Sequence, residues 1–176
     1  VLGDLAPDNE LTVVADCAYM RTGEGLHRFT DPADGETYLY SQFEVPDSRR
    51  VFAVFEQPDL KASFTFTVTA PSSWTVLSNS PTPEPTPTED SDGSGDAHTF
   101  AFAPTERLSS YVTAVVAGPY TGVTSEYRAD DGRVVPLGVY CRASLAEYLD
   151  AEEILEILAY LGDEPVPERV PGSLLL

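Results

Sequence analysis

The sequence predicts an all-β fold, a saddle-like β-sandwich of about seven or more mostly antiparallel strands followed by one C-terminal helix. Alternating apolar and polar residues recur as short runs in most of the chain, and this period of two is typical of half-buried strands. Gly, Pro, Asn and Asp separate the runs, as in hairpin turns. From Ser144 the apolar period becomes that of a helix. We therefore expect a β domain over residues 1–143 and a helical unit with an irregular tail over residues 144–176.

The first half of the chain alternates between strand patterns and residues that break them. Its clearest strand is 62–70, where Phe and Val alternate with Thr, giving one apolar face and one hydroxyl face. Pro46 ends the preceding strand, Asp47 is expected to cap a short helix by accepting backbone N–H bonds, and Pro58 ends that helix. The predicted elements are a strand over 11–19, a loop over 21–29, a turn over 31–35, a strand over 37–44, a helix over 48–55 and a strand over 62–70.

The second half contains one stretch of low complexity between further strands. Residues 81–96 are rich in Pro and then in Asp, Gly and Ser, which predicts a mobile loop joining two strands. A hairpin over 126–141 is expected around Asp131-Gly132, a common turn pair. The remaining predicted strands are 74–79, a returning strand marked by Phe100 and Phe102, and 111–117.

The helical unit is predicted from its capping residues and its apolar spacing. Ser144 with Glu147, and Asp150 with Glu153, each match a capping box. One apolar face follows the helical period, with Gly162 as the expected stop, and its members are Ile154, Ile157, Leu158 and Leu161. Because nothing downstream could pack on this face, the pattern suggests truncation.

Composition and charge exclude several classes of partner. The 176 residues are 42% hydrophobic, enough for one globular domain with a core. The formal net charge of -19 opposes binding to nucleic acid or to an anionic membrane. No apolar run is long enough to span a membrane, and no signal peptide is visible, although Val1 is not a natural start, so we expect a cytoplasmic protein. Cys17 and Cys141 are expected to be buried free thiols, with a single bridge as the alternative.

The residues indicate no catalytic machinery of their own. The possible metal ligands are isolated, and no His-Glu-x-x-His motif accompanies them; they are His27, His98, Cys17 and Cys141. No Gly-x-Ser-x-Gly motif and no phosphate-binding glycine loop is present. We therefore expect no catalytic residue and no metal ligand in this chain.

The one unusual polar pair is Gln42 and Glu44, two residues apart in an aromatic strand. Side chains at this spacing point to the same face, beside Tyr38 and Tyr40. The pair is either the polar, solvent-exposed face of an edge strand or a receptor for a charged amine. A receptor is possible because a carboxylate and an amide oxygen can both accept hydrogen bonds from an ammonium group. Pattern alone leaves both interpretations open. Arg49 and Arg50 are interpreted as structural, tying loops to carboxylates such as Asp59.

Several motifs resemble one family in order and at familiar separations. They are GLHRF, YLYSQFE, DSRRVFAVFEQPDLKASFTFTVTAP, WTVLSNS, FAPTERLSSYVTAVVAGPY and PLGVYCRASLAEYLDAEEI. The chain is similar, from about Leu5 to about Leu158, to the N-terminal domain of aminopeptidase N-type zinc metallopeptidases, and within these gluzincins most to the actinobacterial-like branch. Phe55-Glu56-Gln57-Pro58 stands where that family usually has Phe-Asp-Glu-Pro, and the likeness ends after about Tyr160.

The resemblance implies a specific role. In that family the N-terminal domain is an all-β saddle packed on a thermolysin-like catalytic domain, and the helix here resembles the start of that domain. Gln42 would line the pocket for the first side chain of a peptide substrate, and Glu44 would bind its free α-amino group. The zinc ligands of the parent enzyme would lie beyond this chain, so this piece alone would bind no zinc and be inactive. The alternative is a non-catalytic β-sandwich that binds a partner through residues 81–96.

Overall fold

The computed structural model describes residue 3, residues 5–89 and residues 96–163, and its regular elements are mostly β-strands. Short 3-10 helices cover Ser48–Arg50, Ser110–Val112 and Ala143–Tyr148. The strands and the helix are β1 (Gly25–Thr30), β2 (Thr37–Gln42), β3 (Thr67–Pro71), β4 (Thr75–Ser78), β5 (Thr86–Glu89), β6 (Asp96–Ala101), β7 (Val115–Gly118), β8 (Tyr120–Arg128), β9 (Val134–Arg142) and α1 (Ala151–Asp163).

The strands form three antiparallel sheets within the described residues. One has the order β1-β2-β7-β4, the second β3-β6-β5, and the third is the hairpin β8-β9. The main core lies between the first two sheets. It joins Leu39, Val76 and Ala117 of the four-stranded sheet to Ala70 and Phe100 of the three-stranded one. The predicted all-β sandwich is confirmed, because the four-stranded sheet and the three-stranded sheet bury one face against each other.

The strand predicted over 62–70 is confirmed in its second half. Regular strand pairing covers β3. The residues before it lie beside residues 102–108 and are joined to them by isolated hydrogen bonds: Phe102 N donates to Phe66 O at 3.0 Å, and Ala62 forms a β-bridge with Leu108. The predicted faces are also present, because the threonines of this stretch are exposed and its Phe and Val side chains are half-buried.

Two predictions near the N-terminus are wrong. Residues 11–19 are described but form no strand, and Val14 is 93% exposed. Alternation marks a potential face but cannot supply a neighbouring strand, and none lies beside this segment in the part of the chain that is described. The predicted loop over 21–29 instead contains most of β1, which pairs with β2 along its whole length, while the turn over 31–35 is confirmed.

The helix predicted over 48–55 is only the 3-10 turn Ser48–Arg50. Asp47 stands at its N-cap position but makes no capping hydrogen bond. A backbone N–H group at the start of this turn is instead bound by a residue outside the turn, because Arg49 N donates to the Glu56 carboxylate at 2.8 Å. A distant carboxylate has therefore replaced the local cap that the sequence suggested.

The predicted mobile loop over 81–96 contains a strand. β5 pairs antiparallel with β6 at the edge of the three-stranded sheet. Pro87 has no backbone N–H, and an edge strand tolerates proline because one of its two sides is unpaired. Residues 90–95 of the predicted loop lie outside the described residues. The strands predicted over 74–79 and at Phe100 are confirmed as β4 and β6, and the one over 111–117 is shortened to β7 behind a 3-10 turn.

The hairpin around Asp131-Gly132 is confirmed and is longer than predicted. Its strands pair from Tyr120 to Arg142, and α1 contacts both of them. At the start of the helix, Glu153 N donates to Asp150 Oδ1 at 3.2 Å, which is half of the expected capping box.

Other expectations for the helical unit are wrong. α1 continues through Gly162, so the expected stop there is wrong. Of the predicted apolar face, Ile154 and Ile157 are exposed and Leu158 is half-buried. Ser144 lies in a 3-10 helix and its hydroxyl bonds elsewhere in the fold. The division at residue 143 stays a prediction. No helix found in the described ranges is long and apolar enough to cross a membrane.

Candidate functional site

Gln42 and Glu44 are brought together at the end of β2. Gln42 is the last residue of the strand, and Glu44 lies in the turn that follows it, so the predicted strand over 37–44 is two residues too long. Both side chains are exposed, while Phe43 between them is buried. The Gln42 Oε1 atom accepts a hydrogen bond of 2.6 Å from the backbone N–H of Glu44. The Gln42 amide is therefore bonded to the backbone of Glu44, and both side chains are exposed at the end of β2.

Packing and a backbone hydrogen bond fix the turn that carries Glu44. The residue before the turn, Phe43, is 2% exposed and packs edge-on against Phe52, with ring centroids 5.8 Å apart. Asp47 N closes the turn by donating to Phe43 O at 3.2 Å. The Glu44 carboxylate thus projects from a short backbone segment whose two ends are held, which restricts where the carboxylate can go.

Glu56 is a second carboxylate in this region, and its role is structural. Its oxygens accept bonds from the hydroxyls of Ser48 at 2.6 Å and Ser110 at 3.0 Å and from Arg49 N at 2.8 Å. Burial opposes ionisation, but these three donors outweigh it and hold the pKa of Glu56 below its ordinary value. The carboxylate therefore stays charged at neutral pH and anchors the 3-10 turn that follows Glu44. In the sequence, Glu56 belongs to a Phe-Glu-Gln-Pro motif that differs from the Phe-Asp-Glu-Pro usual in the resembling family. That difference did not indicate the structural role of the Glu56 carboxylate.

Arg50 has the structural role that the sequence suggested, but with other partners. Its Nε atom donates to Asp47 Oδ1 at 2.5 Å, and its guanidinium lies 3.4 Å from a carboxylate oxygen of Glu24. These partners replace Asp59 of the sequence-based expectation. Arg50 therefore links the 3-10 turn to the segment that begins β1.

An aromatic cleft of about 360 Å³ lies along the β1–β2 pair, and no sequence pattern predicted it. Alternation along β2 places Tyr40 and Gln42 on one face, and the Tyr40 ring lies 4.9 Å from that of His27. The cleft could have been found only from the strand register, because its lining comes from four separate elements. The lining residues are His27, Phe29, Tyr38, Tyr40, Tyr120 and Arg142.

Tyr38 is not exposed beside Gln42, although the spacing along the strand predicts that both side chains point to the same face. The side chain is buried, and its hydroxyl donates to Asp34 Oδ2 at 2.7 Å and accepts from Ala143 N at 3.1 Å. Burial, together with the Asp34 carboxylate, raises the pKa of Tyr38. The neighbouring Tyr120 lies 5.0 Å away edge-on, and burial raises its pKa to about 12. Both phenols are therefore neutral packing groups at physiological pH.

A buried carboxylate ties this cleft to the start of the helical unit. Asp31 is 4% exposed and accepts bonds of 2.6 Å from both Ser144 Oγ and Arg142 Nη1. The hydrogen bond from Ser144 and that from Ala33 N lower the pKa of Asp31, and Arg142 lowers it further against the effect of burial. The turn between β1 and β2 is thereby fastened to the end of β9.

The described residues do not fit a metal site. No three His, Cys, Asp or Glu side chains among them lie close enough to hold an ion. The His27 Nδ1 atom accepts a bond of 2.9 Å from Gly23 N, and His98 lies on β6 in the other sheet. Cys17 and Cys141 are free, as expected, but neither is buried: Cys17 is exposed and Cys141 is half-buried. Zinc binding cannot be assigned to this set of side chains, since a site needs three or four converging ligands.

Comparison with known proteins gives consistent matches. Residues 11–112 match the Peptidase M1 N-terminal domain. The chain is 61% identical over 155 residues to an aminopeptidase N of Streptomyces lividans, covering 88% of the chain and 17% of that protein. It is 36% identical over 171 residues to an aminopeptidase N of Acetobacter pasteurianus, covering 88% of the chain and 44% of that protein. The chain therefore spans less than half the length of these relatives.

Proposed function

The chain belongs to the peptidase M1 N-terminal domain family, and we propose that it anchors the free N-terminus of a peptide substrate for an aminopeptidase. The observation that carries this proposal is the exposed pair at the end of β2, where Gln42 and Glu44 lie within one hydrogen bond of each other. An exopeptidase must distinguish a charged α-amine from an internal amide, and a held carboxylate makes that distinction through a charge-assisted hydrogen bond.

The two side chains have different roles in the proposal. Glu44 accepts hydrogen bonds from the substrate ammonium, since an ionised carboxylate is an acceptor only. Gln42 uses one oxygen lone pair to orient the Glu44 backbone, and its NH₂ group and remaining lone pair stay available to line the pocket for the first side chain. The domain thus supplies recognition and register of the substrate.

We propose that the complete enzyme depends on zinc, as the family resemblance implies. Bound zinc would supply the Lewis acid for peptide hydrolysis. The residues described here do not fit a zinc site, so the proposal assigns them no part in holding the metal. Accordingly, this chain alone is proposed to be inactive on aminoacyl substrates.

The partner of this surface is proposed to be a catalytic domain. Large apolar side chains are exposed on the segment that follows the anchor in sequence, including Val45 at 45% and Phe55 at 79%. Such residues favour coverage by another protein surface. The net charge of -19 disfavours nucleic acid and anionic membranes as partners. A cytoplasmic location is also proposed, supported by two unbridged cysteines, which are usual in a reducing compartment.

The test uses the full-length protein that carries this chain and an aminoacyl-p-nitroanilide as substrate. Glu44→Ala should lower kcat/KM by about 2 to 3 kcal/mol in transition-state stabilisation, the scale of a hydrogen bond to a charged group. Glu106→Ala is the control, because this glutamate is also an exposed carboxylate and its side chain makes no ion pair in the described structure. Equal activity in the two variants would refute the assignment.

The alternative of a binding module centred on residues 81–96 gains no support from the described residues. The part of this stretch that is described ends in an ordinary edge strand, β5.

A further inference from the structure

Arg50 lies directly beside the proposed anchor. Gly25 is the register partner of Gln42, and residues opposite one another on antiparallel strands project to the same face. A Cβ atom at Gly25 would lie 3.4 Å from both Cβ and Cδ of Arg50 and 3.1 Å from the Met20 side chain. The aliphatic part of Arg50 therefore packs against Gly25, the residue opposite Gln42 in the strand pair, about 5 Å from it.

The guanidinium of Arg50 holds the far end of the turn that carries Glu44. Its stronger contact is with Asp47, whose side chain is only 13% exposed and accepts from Nε at 2.5 Å. The Arg50 backbone N–H also donates to Asp47 O at 3.0 Å. The second ion pair, with Glu24 at 3.4 Å, is exposed and will be weakened by salt.

Apart from the packing of Phe43 against Phe52, the turn itself has two other restraints. Between Gln42 and Asp47 it has the Gln42 side-chain bond to Glu44 N and the Asp47 N–Phe43 O bond. Without Arg50, the sheltered Asp47 carboxylate would lose its cation and move toward water, because a partly buried charge is costly without a partner. The backbone that carries Glu44 would move with it.

We propose that Arg50 is a positioning residue that fixes Glu44 for amine binding, acting through Asp47 and through its contact with Gly25. This inference rests on the proposed function of Glu44. It assigns Arg50 no contact with the substrate. It predicts that the two residues act as one unit, so that Arg50 matters only while Glu44 is present.

A double-mutant cycle in the full-length protein that carries this chain tests the proposal. Steady-state kinetics on an aminoacyl-p-nitroanilide are measured for the wild type, Arg50→Gln, Glu44→Ala and the double variant. Arg50→Gln should raise KM about tenfold with kcat changed less than about twofold, because a misplaced anchor weakens binding. In the Glu44→Ala background the same change should alter KM by less than about twofold.

Two further variants separate positioning from a general effect of charge or folding. Arg49→Gln removes the same charge one residue away, where the side chain makes no ion pair in the described structure and only helps to lower the pKa of Glu56 through its charge; this variant should leave KM unchanged. Arg50→Lys keeps the charge but not the planar fork, so its KM should fall between those of the wild type and Arg50→Gln. Melting temperatures of all variants are measured in parallel.

The outcomes are distinguishable. If Glu44→Ala has no effect, the proposed function fails, and the inference about Arg50 fails with it. If Glu44→Ala lowers kcat/KM but Arg50→Gln raises KM equally in both backgrounds, or only lowers the melting temperature, Arg50 is not a positioning residue and the proposed function stands.

Discussion

Replacing Glu56 by Gln tests whether a distant carboxylate holds the segment behind the anchor. The substitution keeps the size of the side chain but removes its charge, and the new NH₂ group cannot accept from Arg49 N or from the hydroxyls of Ser48 and Ser110. Ser48 is fully buried, so it cannot turn to water instead. The region therefore loses its charged acceptor, and neutral hydrogen bonds replace it only in part.

The expected magnitude follows from those contacts. A hydrogen bond to a charged group contributes about 1.5 to 3 kcal/mol, and the serine hydroxyls can partly adapt by donating to the remaining Oε1. We expect a loss of about 2 kcal/mol in the free energy of unfolding, or about 4 to 8 °C in melting temperature for a chain of this size.

The effect should depend on pH. The pKa of Glu56 is lowered in the folded state below its ordinary value of 4.5, despite burial, by bonds from Ser48, Arg49 N and Ser110. A lowered carboxyl pKa contributes stability that is present above the unfolded value and is lost as pH falls through the folded value. The difference between wild type and Glu56→Gln should therefore be full at pH 7 and shrink below about pH 4.5.

Urea unfolding followed by tryptophan fluorescence measures this directly. Trp74 is the only tryptophan and packs against the main core, so its emission reports the sandwich. Glu106→Gln is the control for loss of an exposed charge. Equal stability of Glu56→Gln and wild type at pH 7, or a difference that persists unchanged at pH 3, would refute the reasoning.

Two other substitutions test the remaining packing. Asp31→Asn should lower the urea midpoint at pH 7, because Arg142 and Ser144 lose a charged acceptor, and the difference should disappear as pH falls below the ordinary aspartate value of 3.8; a pH-independent difference would contradict this. Gly122→Ala should destabilise the chain by about 1 to 3 kcal/mol in the same assay, since a Cβ there would overlap the Tyr140 ring and lie 2.5 Å from Val139 O; full stability would show that the hairpin can relax.

Local signals were enough for part of the fold. The hairpin β8-β9 was predicted because its turn, Asp131-Gly132, and its two strands are close in sequence. The strand predicted over 11–19 is wrong, because alternation describes one strand only and the existence of a partner depends on the whole sheet.

The site was partly predictable for the same reason. Gln42 and Glu44 are two residues apart, so their proximity was visible in the sequence. The link between Glu56 and Ser110 spans 54 residues, and the aromatic cleft depends on the register of β1 against β2. Tertiary contacts of this kind leave no local pattern.

The central claim is that Glu44 binds a free α-amine, and competition by small amines tests it most directly. Inhibition of the full-length protein that carries this chain is measured with leucinamide and with N-acetyl-leucinamide, in the wild type and in Glu44→Gln. Leucinamide should bind the wild type at least about tenfold more tightly than its acetylated form, the equivalent of one charged hydrogen bond. That preference should largely vanish in Glu44→Gln. An undiminished preference in the variant would contradict the account.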